Sequence, residues 1–193
     1  MPSEPLVLGF DTSAAHCAAA LFCGDQVLVT RAEEMRRGQA ERLMPLMEEV
    51  LAEGGVTWKD LDVIGVGVGP GNFTGIRISV SAARGLALAL DAPAVGVSTF
   101  EATSLDVEED HIAGVEAPRG QVYTCAPGGA PRLEADAPTS GPKLVLPPNP
   151  AKLAVNIARI AATRRDCTSR PAPLYIKAAD AAPPRDPAPV ILP

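Results

Sequence analysis

The sequence has 193 residues, 47% of them apolar and 21% charged, with a formal net charge of −6. That length allows one large domain or two small lobes, and the apolar share is enough to bury a core. Residues 1–117 carry 7 Lys and Arg against 18 Asp and Glu, while residues 118–193 carry 10 against 5. An acidic first part is a poor binder of phosphate backbones on its own.

Proline divides the chain at the same place, with 5 of its 20 in residues 1–117 and 15 beyond. The longest uncharged run, Val63–Ile76, spans 14 residues and includes five glycines and a proline. It is too short and too broken for a membrane-spanning helix. No basic residue precedes Arg31, which argues against a signal peptide. Cys17, Cys23, Cys125 and Cys167 form no C-x-x-C pair, so free cytosolic thiols are expected.

In chain order, Pro5–Phe10 is an apolar run that ends at Asp11-Thr12-Ser13, the pattern of a central buried strand. Cys17–Cys23 reads as a second strand, Gly24-Asp25 as a hairpin turn and Gln26–Arg31 as a third strand. A strand followed by a hairpin excludes an ordinary Rossmann start. Leu43, Leu46, Met47, Val50 and Leu51 then make one helical stripe. Pro45 suits that helix if it lies in the first turn, and Gly54-Gly55 ends it. Met44 lies outside the stripe and hints at a second apolar contact.

Val63–Gly69 alternates glycine with β-branched residues. It reads as a buried strand whose glycines admit a close neighbour. Pro70–Gly75 is a turn that leads into a helix over Ile76–Leu90, followed by a strand at Ala94–Val97 and a Ser98-capped helical turn. Ile112–Val115 and Gln121–Cys125 read as a strand pair around Pro118-Arg119-Gly120, and Leu144–Leu146 as a short strand. Lys152–Arg165 reads as a helix with Leu153, Ile157 and Ile160 on one side. The chain from Pro171 onward reads as an extended, proline-rich tail.

The glycine-rich turn fails the Walker A pattern, since Ile76-Arg77 stands where Lys-Ser/Thr is needed, and it fails G-x-G-x-x-G as well. Its N–H groups at a helix N-terminus can still attract an anion. Two histidines, His16 and His111, offer no paired metal-ligand spacing, and there is no G-x-S-x-G nucleophile elbow. Asp11, at the end of the first strand, is the best single chemical candidate, with a turn-forming role as its plainer reading. Arg159, Arg164 and Arg165 could touch an anion or simply be solvated. The helix after the turn carries only Arg77 and Arg84, seven apart and on nearly one line. The rest of it is apolar or small all round. Such a helix is buried on more than one side, by a partner chain or by the second lobe.

These residues carry a family resemblance. Leu8–Ser13, Ala40–Pro45, Gly67–Arg77, Gly85–Ala89 and Val95–Ser98 together resemble the TsaB family of bacterial tRNA-modification proteins, often labelled glycoprotease-like or inactive metalloprotease homologues. The likeness is strong over residues 6–105 and fair at Arg119–Tyr123 and Pro173–Lys177.

The resemblance implies an α/β, actin-like ASKHA (ribonuclease H-like) fold with a mixed sheet and two lobes. The divisions it suggests are 1–105 for a partner-binding first lobe, 106–170 for a reduced second lobe and 171–193 for the tail. It also implies a non-catalytic, cytoplasmic scaffold. Such a scaffold supports a TsaD-type enzyme, which places threonylcarbamoyl on the adenosine beside the tRNA anticodon, and a TsaE-type ATPase joins the complex. The chain alone is expected to be a homodimer that meets tRNA only through the complex, with no membrane contact. No cofactor and no metal are expected within the chain.

The pairing surface is expected at Leu43, Met44, Met47, Leu51, Ile76, Ser79, Val80, Ala83 and Ala87. Asp11, Thr12 and Ser13 are expected as a vestigial phosphate site, and Gly69, Pro70, Gly71, Phe73, Thr74, Gly75 and Arg77 as the family turn. Gln39-Ala40 departs from the His-Ser of many relatives, and Glu116 stands near a common Asp position. Gly128-Gly129 is the sole trace of a second phosphate loop. The rival class is an ASKHA-type metal-dependent hydrolase or small-molecule kinase using Asp11.

Overall fold

The computed structural model describes residues 4–176. Leu6–Asp11 (β1) is the centre of the first sheet. His16–Cys23 (β2) pairs antiparallel with it, and Gln26–Glu34 (β3) pairs antiparallel with β2. On the other side of β1, Val63–Gly67 (β4) and then Ala94–Val97 (β5) run parallel to it. The strand order β3-β2-β1-β4-β5, an antiparallel meander continued by parallel strands, is the expected actin-like, ribonuclease H-like arrangement. The opening strand-hairpin pattern dictates it, because a tight turn can only return a strand antiparallel.

Both faces of this sheet are covered. Gln39–Glu53 (α1) and Phe73–Leu90 (α2) pack on one face, where Leu8, Phe10, Leu21 and Ile64 meet Leu43, Leu46, Ile76 and Val80. Thr99–Ser104 (α3) follows β5, its first turn fixed by a Ser98–Glu101 capping box. Pro150–Ala162 (α4) covers the opposite face, where Val7, Val63 and Val97 meet Leu153, Ile157 and Ala161. Alternation along β1 produces the split, since Val7 and Gly9 face α4 while Leu8 and Phe10 face α1 and α2.

The second sheet is smaller. His111–Glu116 (β6), Val122–Cys125 (β7), Arg132–Glu134 (β8) and Lys143–Val145 (β9) lie in the order β8-β7-β6-β9. Its apolar centre is Phe100, Ala113 and Val115, with Leu174 and Ile176 packed against it.

The arrangement of elements differs from the sequence expectations at five points. Pro45 lies in the second turn of α1, not the first, so the Glu41 carbonyl receives no N–H from it. Helix α2 begins at Phe73 rather than Ile76, because the Asn72 side chain caps it by accepting from the Gly75 N–H at 2.9 Å. Strand β8 carries no alternating pattern in sequence.

Helix α4 falls within the segment 106–170 yet packs on the first sheet, so the two structural units are not consecutive stretches of sequence. Residues 171–176, expected as tail, dock on the body. The Leu174 N–H donates to the Val68 carbonyl at 2.8 Å, and Arg84 Nε to the Pro171 carbonyl at 2.8 Å. The rest of the expected tail lies outside the described residues.

Glycines allow α4 to sit close. A Cβ on Gly9 would stand 2.6 Å from the Ala154 carbonyl oxygen, and one on Gly65 would stand 2.9 Å from Ala161 Cβ. Gly85, on α2, has open space where its Cβ would be. Gly9→Ala should therefore destabilise the fold by about 1–3 kcal/mol, as overpacking does. Gly85→Ala should stabilise it by about 0.5–1 kcal/mol through helix propensity. Denaturant unfolding of the two variants checks the opposite signs.

Candidate functional site

The three expected phosphate-site residues are brought together but turned inward. Asp11 is fully buried. Its Oδ2 accepts from the Ser13 N–H and hydroxyl, each at 2.9 Å, and from His16 Nε2 at 2.6 Å. Its Oδ1 has no partner among the described residues and lies against Gly67, where any Cβ would collide with it. Thr12 spends its hydroxyl on the Gly75 carbonyl at 2.7 Å. Serine and histidine both bond the carboxylate and not each other, so the trio is no nucleophile–base–acid relay.

The glycine-rich turn is built to meet this loop. The Asn72 N–H donates to the Ser13 carbonyl at 2.6 Å. A Cβ on Gly71 would strike the Ser13 carbonyl, and one on Gly75 the Thr12 carbonyl. Gly69 has a φ of +90°, which favours glycine. Thr99 donates its N–H to the Gly69 carbonyl and its hydroxyl to Pro70 O at 3.2 Å. From the other side Gln39 Nε2 reaches the Ala14 carbonyl at 2.7 Å, His16 at 3.0 Å and Thr12 at 3.4 Å. Sequence reasoning noted Gln39 only as a departure from a family pattern.

A cleft of about 550 Å³ lies where the two sheets meet. Ser13 and His16 form part of its floor; Glu116, Pro118, Leu146 and Pro147 line the side of the second sheet. Among the described residues no Lys or Arg lines it, so none of them offers a polyphosphate its counter-charge. Gly128-Gly129 borders a different cavity of about 760 Å³, beside the Glu101–Arg164 ion pair. Arg159 is paired with Asp106 at 2.7 Å, so two of the three candidate anion contacts on α4 and its C-terminal end are engaged. No cluster of three potential metal-binding side chains occurs among the described residues. Burial, with Glu33 adding to it, pushes the Cys17 thiol up to about 12, which leaves it protonated and unreactive.

The helical face requires a correction. Leu43, Met47, Leu51, Ile76, Ser79, Val80 and Ala83, all expected at a pairing surface, are buried in this chain's own core. The apolar stripe of a helix is the side that faces the sheet, and Ser79 confirms that orientation by donating to the Gly67 carbonyl at 3.1 Å. Of the nine, Met44 is 38% exposed and Ala87 is half-buried.

The outward face of α2 carries other residues. Phe73 is 41% and Leu88 is 88% exposed, and Thr74, Arg77, Ser81 and Gly85 are exposed beside them. The second sheet does not cover this side. By length and composition α2 could cross a membrane, with a mean hydropathy of 1.2 over 18 residues, a property the uncharged-run test overlooks. A shallow groove of about 410 Å³ separates α1 from α2, lined by Ala40, Leu43 and Met44 on one side and Thr74, Arg77, Ile78, Ser81 and Ala82 on the other.

One corner of this face comes from the far end of the chain. The Tyr175 ring lies 5.1 Å from that of Phe73, and Arg77 Nε donates to the Tyr175 hydroxyl at 3.0 Å. The Arg77 guanidinium carbon sits 3.8 Å above the Phe73 ring, a cation–π contact. Nothing local in the sequence joins residues 73 and 175.

Residues 31–136 match the family model described as TsaD: tRNA N6-adenosine threonylcarbamoyltransferase. Among curated proteins, the chain is 31% identical over 122 residues to the tRNA threonylcarbamoyladenosine biosynthesis protein TsaB of Escherichia coli. That alignment covers 61% of this chain and 52% of the relative. The protein of the same name from Bacillus subtilis is 35% identical over 123 residues, covering 61% and 53%. The chain thus spans about half the length of the curated relatives it matches. Among solved structures, YeaZ from Pseudomonas aeruginosa superimposes with a TM-score of 0.73 at 24% identity, covering 89% of this chain and 99% of that one. That likeness is one of fold.

Gln39→Leu removes the donor to three carbonyls, those of Thr12 and Ala14 in the β1–β2 loop and that of His16 at the start of β2. It should cost about 1–3 kcal/mol, because the buried Thr12 and His16 carbonyls lose this donor. Gln39→Glu should cost at least as much, since a carboxylate cannot donate to them. Denaturant midpoints of both variants test this.

Proposed function

The chain belongs to the tRNA N6-adenosine threonylcarbamoyltransferase family, and we propose that within it the chain is a non-catalytic scaffold. It would support a TsaD-type catalytic subunit in threonylcarbamoyladenosine formation on tRNA, with a TsaE-type ATPase as further partner. The complex would meet tRNA in the cytoplasm, and the chain alone would pair with itself.

The observation that carries this reading is the outward face of α1 and α2. It exposes Met44 on α1 and Phe73 and Leu88 on α2, with Ser81 and Gly85 exposed beside Arg77 and Arg84, a surface that suits helix against helix. Exposed apolar patches rimmed by polar residues mark interaction sites. The inward-turned Asp11, saturated on one oxygen and packed on Gly67 with the other, supports a role without chemistry, as does a cleft without cations. TsaB is the name that the curated relatives carry. The kinase and hydrolase reading has no comparable support. We propose no cofactor or metal for this chain.

The test is co-purification with a TsaD homologue, followed by a tRNA-modification assay with and without this chain. Binding and a dependence of modification on the chain are expected. Met44→Glu combined with Ser81→Glu should leave the Tm within about 2 °C, because both residues are exposed and exposed substitutions cost little. The same pair should abolish binding and modification together. ATP turnover by the purified chain that disappears in Asp11→Ala would overturn the non-catalytic reading.

A further inference from the structure

We propose that residues 171–176 act as a clasp that couples the outer edge of α2 to the second sheet, so that a change at Phe73 and Arg77 is felt at β6 and β7. The inference does not depend on what covers the α1 and α2 face. It assigns a role to a segment that the proposed function leaves unused.

The segment touches both units of the fold. On the side of the first sheet, Pro171 is buried, and its carbonyl accepts from Arg84 Nε at 2.8 Å. Gly96 of β5 leaves room for its ring, since a Cβ there would stand 3.3 Å from Pro171 Cβ. The Leu174 N–H donates to the Val68 carbonyl at 2.8 Å. The Tyr175 hydroxyl accepts from Arg77 Nε at 3.0 Å, and its ring lies 5.1 Å from that of Phe73. On the other side, Leu174 and Ile176 pack on the cluster of Ala113 and Val115, beside Tyr123 and Cys125. Leu174 packs against the core of the first sheet as well. One side chain thus belongs to both cores.

The second sheet is otherwise lightly held. The apolar cluster at its centre receives Phe100 from α3 and Leu174 and Ile176 from the returning segment. Two of these three side chains from outside the sheet are therefore the clasp's own. Along the rest of the seam lie cavities of about 550 Å³ and about 760 Å³. Glu116 and Leu146 border the first, and Cys125 and Gly129 border the second, which Pro173 and Leu174 also line. A unit with so few apolar contacts to the remainder opens locally at a lower cost than the whole fold.

Tyr175 stands between Leu174 and Ile176 in the chain. The residue that meets Arg77 and the residues that hold the second sheet are consecutive, so a displacement of Tyr175 cannot be absorbed within the segment. Two states follow. With the clasp closed, Arg77 and Phe73 are covered at one corner and the second sheet is held. With it released, both are freed together. Such a coupling is reciprocal: whatever draws the second sheet away also loosens Arg77.

The test is hydrogen exchange of the full chain, comparing peptides from β6 and β7 with peptides from β1 and β4. Arg77→Ala removes the donor to the Tyr175 hydroxyl, and Tyr175→Phe removes the hydroxyl alone. Arg77 makes no hydrogen bond to the second sheet among the described residues, so a role confined to α2 would leave β6 and β7 unmoved. Each variant should speed exchange there by about threefold to tenfold, as loss of one hydrogen bond implies, with β1 and β4 as slow as in wild type. Tyr175→Phe placed on Arg77→Ala should add nothing, since the hydroxyl has already lost its donor. Ser81→Ala, exposed on the same helix and outside the segment's contacts, should leave both sheets unchanged. Wild-type exchange of β6 and β7 in the Arg77 and Tyr175 variants overturns the clasp. So does exchange that rises equally in both sheets, which marks a general loss of stability, and so does a double variant whose effects simply add.

Discussion

The loop between β1 and β2 is the point at which both helices on one face of the first sheet are tied to it. Its carbonyls are the acceptors to which both outer helices are tied. Ser13 O receives the Asn72 N–H at the head of α2, and Gln39, the first residue of α1, reaches the carbonyls of Thr12, Ala14 and His16. Backbone acceptors buried in this way must be paired. The ends of two helices and a glycine-rich turn satisfy them at once. The loop is rigid in turn because Asp11 gathers Ser13 and His16 onto one carboxylate oxygen.

This explains why a turn that looks like a phosphate cradle need not hold phosphate. Gly71 and Gly75 lack side chains because the Ser13 and Thr12 carbonyls occupy that space. Approach by a protein backbone imposes the same demand on sequence as approach by a pyrophosphate. Spacing alone could not separate the two, although the missing Lys-Ser/Thr of a Walker motif and the failed G-x-G-x-x-G pattern argue against phosphate. The contacts show which backbone takes the place.

Legibility in the sequence followed periodicity. Strands β1, β2 and β4 and the inner stripes of α1 and α2 were readable, because alternation and the 3.6-residue repeat record which side faces the core. The same signal misplaced the partner surface. Residues such as Ile76, Val80 and Ala83 look exposed to a partner only if the sheet beneath them is forgotten; the outward face of α2 is marked by weaker features, Ser81, Gly85 and an unsupported Leu88. The position of α4 was not readable at all. Its apolar residues, buried nearly all round, fit either sheet, and the choice was made by Gly9 and Gly65, more than eighty residues away. Strand β8, three residues long, lies below what alternation can reveal.

The two arginines of α2 show how long-range structure gives meaning to a local pattern. In sequence they are a pair of like charges on one line of an otherwise apolar helix, a mildly unfavourable arrangement with no local carboxylate to relieve it. In the fold each gives its Nε to the segment that returns from α4, through Pro171 and Tyr175. That segment is anchored again by Leu174 on Val68. The C-terminal part of the chain thus binds to the outer edge of the helix that the glycine-rich turn begins, and it fixes the only cationic groups on that helix without neutralising them. A buried arginine pair would have demanded partners within the chain. Exposed and pre-oriented, the pair retains its charge toward solvent, while Glu41 and Glu48 of α1 stand exposed at the same seven-residue spacing.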